Sequence, residues 1–509
     1  MASSSPTYID PWQMPRVTYA LPLLAAAIAA VFYSQFWLSH DNSWFLVATR
    51  KFLDGARLYV DIVEVNPPLN FYLTVPALLV AETIGISDTF AYVIQTCVLG
   101  GLSGLWLVRL LRCSDLAGRE QWAILLPALT GLFVLPIGEF AQREHLLFIY
   151  ALPYLTYLIL GPERVRLETG EKVLLGLVAT FGLALKPYFL LIPAAIALVG
   201  PIKLLAGRIF APANLGLAAG LVAYALFTVL AHPEFFSDVL DTARRVYWAY
   251  GFSAKTVLQR REVFAVLIFA YLFARGGVSH DKVSQRFSAA VAAALASYLI
   301  QFKGWNYQLI PMVYFLLAGG IWIALEKKVF EARQYVPAVM LMAIVAATLG
   351  TQLLAGPYTS RTLHKFAPYV EGPGETIMVY STNVSAAFPF VNAVEGKWAS
   401  RYPAQWTIPG AVIGLASERC PKDTEYCAPL QKILADIRVA NTQDLLRNRP
   451  DVIFVDMRKK KSYFHGQAFD YLAFQLEDPE FAAVWTQYRK EAEVDEDFAV
   501  FRRAEGPAQ

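Results

Sequence analysis

Residues 16–38 read RVTYALPLLAAAIAAVFYSQFWL, and residues 40–44 just beyond them read HDNSW. The apolar run is long enough to cross about 30 Å of hydrocarbon, and it ends by delivering Asp41 to the membrane–water boundary. A charge there is costly unless it is solvated, paired or used, which marks Asp41 as a candidate functional residue. Between Ser43 and Asp54 apolar residues recur at Phe45, Ala48 and Phe52, with Trp44 and Leu53 beside them. That spacing predicts a helix lying on the membrane surface with its apolar face down. Gly55 ends it, and Tyr59, Asp61, Glu64 and Asn66-Pro67-Pro68-Leu69 carry the chain along the interface.

The composition extends the same reading. The 509 residues are 56% hydrophobic and 17% charged, against roughly 25% charged in soluble domains. Mean hydropathy is +0.41. The net charge of +3 is strung along loops and forms no basic patch, so it does not point to nucleic acid. Residues 1–15 lack a basic region followed by a short apolar core and a cleavage site, so the first run is expected to remain as a span.

Further spans are predicted at 89–111, 122–137, 146–160, 173–185, 188–205, 215–230, 263–274, 289–300, 309–325 and 336–354. Segment 68–86, broken by Pro76, is expected to stay juxtamembrane or re-entrant. Lys and Arg mark five cytoplasmic loops: Arg109, Arg112 and Arg119; Arg164, Arg166 and Lys172; Lys203 and Arg208; Arg275, Lys282 and Arg286; Lys327, Lys328 and Arg333. Arg244, Arg245, Lys255, Arg260 and Arg261 run against that bias. The result is a polytopic α-helical membrane protein of about eleven spans over 1–355, with a first external loop at 39–87. From 356 to 509 the composition changes. Residues 375–380 and 450–456 read as buried strands, and 430–437 and 469–476 as amphipathic helices. A C-terminal α/β domain outside the cytoplasm is therefore expected. Cys97 and Cys113 look unpaired, whereas Cys420 and Cys427 suit a short-loop disulfide if their region lies outside the cytosol.

On this topology Asp41, Glu139, Arg143, Glu144, His145, Lys186, His232, Glu234 and Lys303 share one face. One carboxylate among several cations suits a reaction on an anionic, lipid-borne substrate. The cations would hold a phosphate and the carboxylate would take a proton from an attacking hydroxyl.

The run Asp41-Asn42-Ser43-Trp44, then Gly55-Ala56-Arg57-Leu58-Tyr59-Val60-Asp61, then Asn66-Pro67-Pro68-Leu69, resembles the first external loop of glycosyltransferases of the C superfamily. Those multi-span enzymes include protein O-mannosyltransferases and bacterial aminoarabinose transferases of lipid A. The resemblance continues at Gln142-Arg143-Glu144-His145-Leu146, at His232-Pro233-Glu234-Phe235 and from Lys303 through Tyr307 to Pro311, covering roughly 16–325. It implies an inverting transfer from a polyprenyl-phosphate sugar to a hydroxyl of a glycolipid such as lipopolysaccharide, a surface glycan or a protein. The place would be the outer face of a bacterial inner membrane, with the C-terminal domain periplasmic. By the same resemblance Asp41 is the base and Glu144 orients a substrate. Lys303 and Arg143 hold the donor phosphate, with Lys186 and His145 in reserve. Tyr59, Asp61, Asn66, His232 and Tyr307 touch substrate. No cofactor is required, and a divalent metal is compatible but not demanded. Two features depart from relatives: Asp41-Asn42 where two acids are common, and Asn66-Pro67-Pro68 where many aminoarabinose transferases have Lys-Pro-Pro.

Plainer readings stay open. Asp41 or Ser43 caps the surface helix; Arg143 and Glu144 form a solvated pair; Lys186 and Lys303 snorkel; His232 caps a span. Lys459-Lys460-Lys461 reads as a solvated face, and Asn383-Val384-Ser385 fits the glycosylation tripeptide. Trp398, Tyr402 and Trp406 either stack on sugars or pack in the core. The competing function is a transporter or flippase of lipid-linked sugars, which would place charges near the midplane on broken helices.

Overall fold

The computed structural model describes residues 14–275, 281–325 and 335–504. The loop cations Lys327, Lys328 and Arg333, and the residues before Met14, lie outside the described residues. The chain is mostly helical and forms two compact units that do not follow chain order. The first comprises Met1–Phe36, Phe90–Leu226 and Phe252–Pro357; the second comprises Trp37–Thr89, Phe227–Gly251 and Tyr358–Gln509. The stretch after the first helix thus belongs with the C-terminal domain.

Among the described residues, five helices are long and apolar enough to cross a membrane: Arg16–Tyr33, Asp88–Arg112, Pro212–Ala231, Asn306–Leu325 and Tyr335–Ala355. A sixth span results if Pro187–Leu198 and Ile202–Ile209, bent by 116°, count as one. The count of about eleven is therefore not met by length and composition. Gly118–Phe133, Thr169–Leu183 and Arg261–Arg275 have 16, 15 and 15 residues, and a 16-residue helix rises only about 24 Å. Arg143–Leu160 and Lys282–Leu299 have polar first turns. Leu69–Ile84 is a shorter apolar helix of the second unit.

Burial orders the first unit. The apolar window of Asn306–Leu325 is 83% buried, against 28% for Arg16–Tyr33 and 22% for Tyr335–Ala355, so Asn306–Leu325 is the central helix. The other two turn Leu23, Leu24, Ile28, Val339, Met340 and Leu354 outward. Apolar faces of that extent suit lipid, and the chain is a membrane protein. Two helices approach closely through small residues: a Cβ on Gly176 or Gly216 would collide with the backbone of Pro212–Ala231 or Thr169–Leu183 respectively.

In the second unit a five-stranded sheet has the order β2-β1-β3-β5-β4. The strands are β1 (Thr376–Tyr380), β2 (Lys397–Trp398), β3 (Val452–Asp456), β4 (Tyr488–Val494) and β5 (Phe498–Arg503). β1 runs parallel to both β2 and β3, while β5 is antiparallel to β3 and β4. One face, with Ile377, Val379, Val452 and Phe454, packs on Phe366, Phe388 and Phe390. The other carries the helices after β2 and β3; Tyr380 meets Phe481 there.

The helix predicted after Asp41 spans His40–Leu53, but its apolar face does not lie on a membrane. Trp44, Phe45 and Ala48 enter the core beneath the sheet, with Trp44 5.4 Å from Phe388 between ring centroids. Trp398, Tyr402 and Trp406 are likewise buried, and so is Lys461, whose ammonium donates to Arg458 O. The lysine run is therefore not a uniformly solvated face. Cys420 and Cys427 are disulfide-bonded, with Cα atoms 5.2 Å apart.

Candidate functional site

Each unit holds one cluster of the residues singled out above. In the first, the chain reaches Arg143–Leu160 through Ala141, which has φ +62°. That residue's N–H donates to His145 Nδ1 at 2.9 Å, so Nε2 carries the proton and donates to Leu132 O at 2.7 Å. Both ring nitrogens are engaged by backbone. This corrects the phosphate-holding role for His145, which instead locks the turn preceding the helix.

The locked turn sets Glu144 in the first helical turn, where the helix dipole favours a negative charge. Glu144 is 1% exposed and accepts from Lys186 Nζ at 2.5 Å. Lys186 is also buried, at the entry to the turn Pro187–Leu190, and its ammonium lies 4.7 Å from the Tyr307 ring centroid. Neither the solvated-pair nor the snorkelling reading fits these positions. The pair is deep, and Glu144 Oε2 is buried with no hydrogen-bond partner among the described residues. A buried carboxylate oxygen left open is uncommon and suits acceptance from a substrate hydroxyl. Arg143 is buried at the same helix start.

Lys303 sits between Phe302 and Gly304, both with positive φ. Those two left-handed residues turn the chain sharply around it. Its ammonium is buried and stands 4.4 Å from the Trp305 ring centroid. It too is no snorkelling residue.

In the second unit, Ser39 occupies the N-cap position of His40–Leu53 and Asp41 lies in the first turn, so Asp41 is not the cap. Ser43 donates to Leu38 O instead. The Asp41 side chain is 20% exposed, with His40 Nε2 3.7 Å from Oδ1. His40 Nδ1 is 3.3 Å from the Tyr358 hydroxyl. Burial, and secondarily the Asp41 charge, push the Tyr463 phenol upward; its ring lies 4.3 Å from that of Tyr250. The carboxylate thus stands at a half-open spot lined by imidazole and phenols.

The remaining residues of this loop are engaged in holding it. Glu64, to which the sequence assigns no site role, is buried and accepts from Trp44 Nε1 at 2.7 Å and from Asn66 N at 3.0 Å. Asn66 Nδ2 also reaches Glu64. Tyr59, with φ +68°, donates from its hydroxyl to Asn66 O at 2.9 Å. Tyr59 and Asn66 thus help shape the loop. Asp61 accepts from Arg57 N at 3.0 Å and pairs with Arg57 and Arg447; chiefly the Arg57 amide holds its carboxyl below the ordinary range. His232 Nε2 is 2.8 Å from the Tyr72 hydroxyl, among the rings of Tyr59, Tyr72 and Phe227. It is a packed core histidine more than a span cap. Among the described residues no group of three or more His, Cys, Asp or Glu is placed to hold a metal ion.

An acid just beyond a long apolar run marks Asp41 in the sequence. Glu64 gave no comparable signal: its partner Trp44 is twenty residues away and carries no charge. No protein-family model and no curated protein matches the chain.

Proposed function

We propose that the chain is an inverting glycosyltransferase that moves a sugar from a polyprenyl-phosphate donor to a hydroxyl acceptor at the outer face of a bacterial inner membrane. Asp41 accepts the proton of the acceptor hydroxyl while its oxygen attacks C1 of the sugar. The bond between C1 and the phosphate oxygen breaks, its electron pair leaves with the polyprenyl phosphate, and the anomeric configuration inverts. For Arg143 and Lys303 the resemblance implies the role of balancing the charge of a donor phosphate. Lys186, already paired with Glu144, fixes that carboxylate so that Oε2 meets a substrate hydroxyl. In this reading the shorter helices also span, which gives about eleven crossings with some tilt or local thinning, in the manner of the C superfamily. The C-terminal unit is periplasmic, and the acceptor is a glycolipid, surface glycan or protein.

The observation that supports this most is the setting of Asp41: a partly exposed carboxylate in a first helical turn, beside His40 and the Tyr463 phenol. Mass spectrometry of surface glycolipids and glycans from cells with and without the gene tests it. Loss of one sugar unit in the deletion strain is expected; an unchanged profile would refute the transferase reading.

A further inference from the structure

The sheet of the second unit has a point where its parallel connections part. The chain leaving β1 turns to one face, where Phe388 and Phe390 pack on Val379 and Phe454. The chain leaving the neighbouring β3 goes to the opposite face, where Phe481 meets Tyr380. In open α/β sheets, a crevice opens outside the carboxyl ends of two strands whose connections diverge in this way, and ligands bind there. Such a cavity exists here, of about 440 Å³, within the range that holds small molecules. Asn383 and Ser385 line it from the chain after β1, and Arg458 and Ser462 from the chain after β3.

Its chemistry is built from side chains fixed at the strand ends. Asp456, wholly buried, accepts from Arg458 N and Nε at 3.1 and 2.9 Å, from Arg458 Nη2 and from Ser381 Oγ at 3.1 Å. Those bonds hold the guanidinium in one orientation, and Nη1 takes no partner among the described residues. Arg361, exposed at the same cavity, makes no ion pair or hydrogen bond among them either. The other lining cation, Lys365, is balanced by Asp495. Two guanidinium edges are therefore open to an anion. Around them stand groups suited to hydroxyls: the Asn383 amide, the Ser385 hydroxyl and the Asp497 carboxylate.

We propose that this crevice binds a sugar unit carrying a carboxylate or a phosphate. The anion meets Arg361 and Arg458, and the ring hydroxyls meet Asn383, Ser385 and Asp497. The site needs no role for Asp41 and stands apart from the transferase reading. Calorimetric titration of the full-length protein in detergent with glucuronate, glucose 6-phosphate, glucose and inorganic phosphate tests it. Saturable binding of glucuronate or glucose 6-phosphate is expected, whichever binds tighter naming the anion. Glucose and inorganic phosphate should each bind roughly ten-fold weaker or not at all. Arg361→Ala should weaken the anionic sugar by roughly ten-fold, the size of a lost charge-assisted contact, and Asp41→Asn should leave it unchanged. No saturable binding of either anionic sugar, equal binding of glucose or of inorganic phosphate, or an unaltered Arg361→Ala titration would overturn the proposal. Because Arg361 is exposed, that variant should keep the fold. Failure of the glycan profile of the deletion strain to change would count against transfer, not against this site.

Discussion

Glu144 and Lys186 carry opposite charges into a place water barely reaches, and a buried pair loses most when only one member goes. Glu144→Gln and Lys186→Met should each lower stability by about 3–5 kcal/mol, read by thermal unfolding in detergent. Replacing both together should recover much of that loss. If the pair only supports the fold, the double variant should also recover sugar transfer; we expect it to stay inactive, because Glu144 Oε2 is gone. A second residue-scale expectation concerns pH. The folded-state pKa of Asp61 lies below the ordinary carboxylate value, chiefly through the Arg57 amide. Its contribution is therefore present above about pH 4 and is lost as pH falls through the lowered folded value. Asp61→Asn should lack that acid-side loss in unfolding curves collected from about pH 6 down to pH 3; an identical acid-side slope would remove the assigned role. Asp41 was legible in the sequence because an acid stood at the end of an apolar run. The Glu144–Lys186 pair was not, since 42 residues separate the partners and no periodicity links them.

Helix His40–Leu53 shows what spacing can and cannot tell. Phe45, Ala48 and Phe52 announce the helix and its apolar face, but the partners Phe388 and Val379 come more than 300 positions later, so a membrane was the nearer inference. Trp44→Ala should cost about 3–5 kcal/mol and free Glu64 from its indole donor; a shift of under about 1 kcal/mol would mean that the helix is not anchored in this core. The strands divide the same way. β1 and β3 are short apolar runs, buried on both faces, and were evident. β4, reading YRKEAEV, carries the charges that protect a sheet edge and so resembles a loop, while β2 has only two residues. The disulfide closes a short loop, with a sequence separation of 7. Replacing both cysteines by Ser should cost about 2 kcal/mol, checked by thermal unfolding against the oxidised protein.

For the whole molecule, the apolar runs identified the membrane class but overstated how many helices can cross unaided. The bend after Leu198 interrupts a run that hydropathy alone joins, and the helices Gly118–Phe133, Thr169–Leu183 and Arg261–Arg275 stop at 15 or 16 residues. The grouping of residues 37–89 with the C-terminal unit was likewise hidden, because composition changes only near Gly356. What the sequence did carry was a chemical asymmetry: a carboxylate in one segment and cations in three others, each of which the fold buries or partly buries. The most direct measurement is mass spectrometry of surface glycolipids and glycans from a deletion strain complemented with wild type or with Asp41→Asn, at matched protein levels. Wild type should restore the missing sugar and Asp41→Asn should restore less than about one hundredth of it, the scale of a lost general base. Full restoration by Asp41→Asn would contradict the assignment of Asp41 as the base.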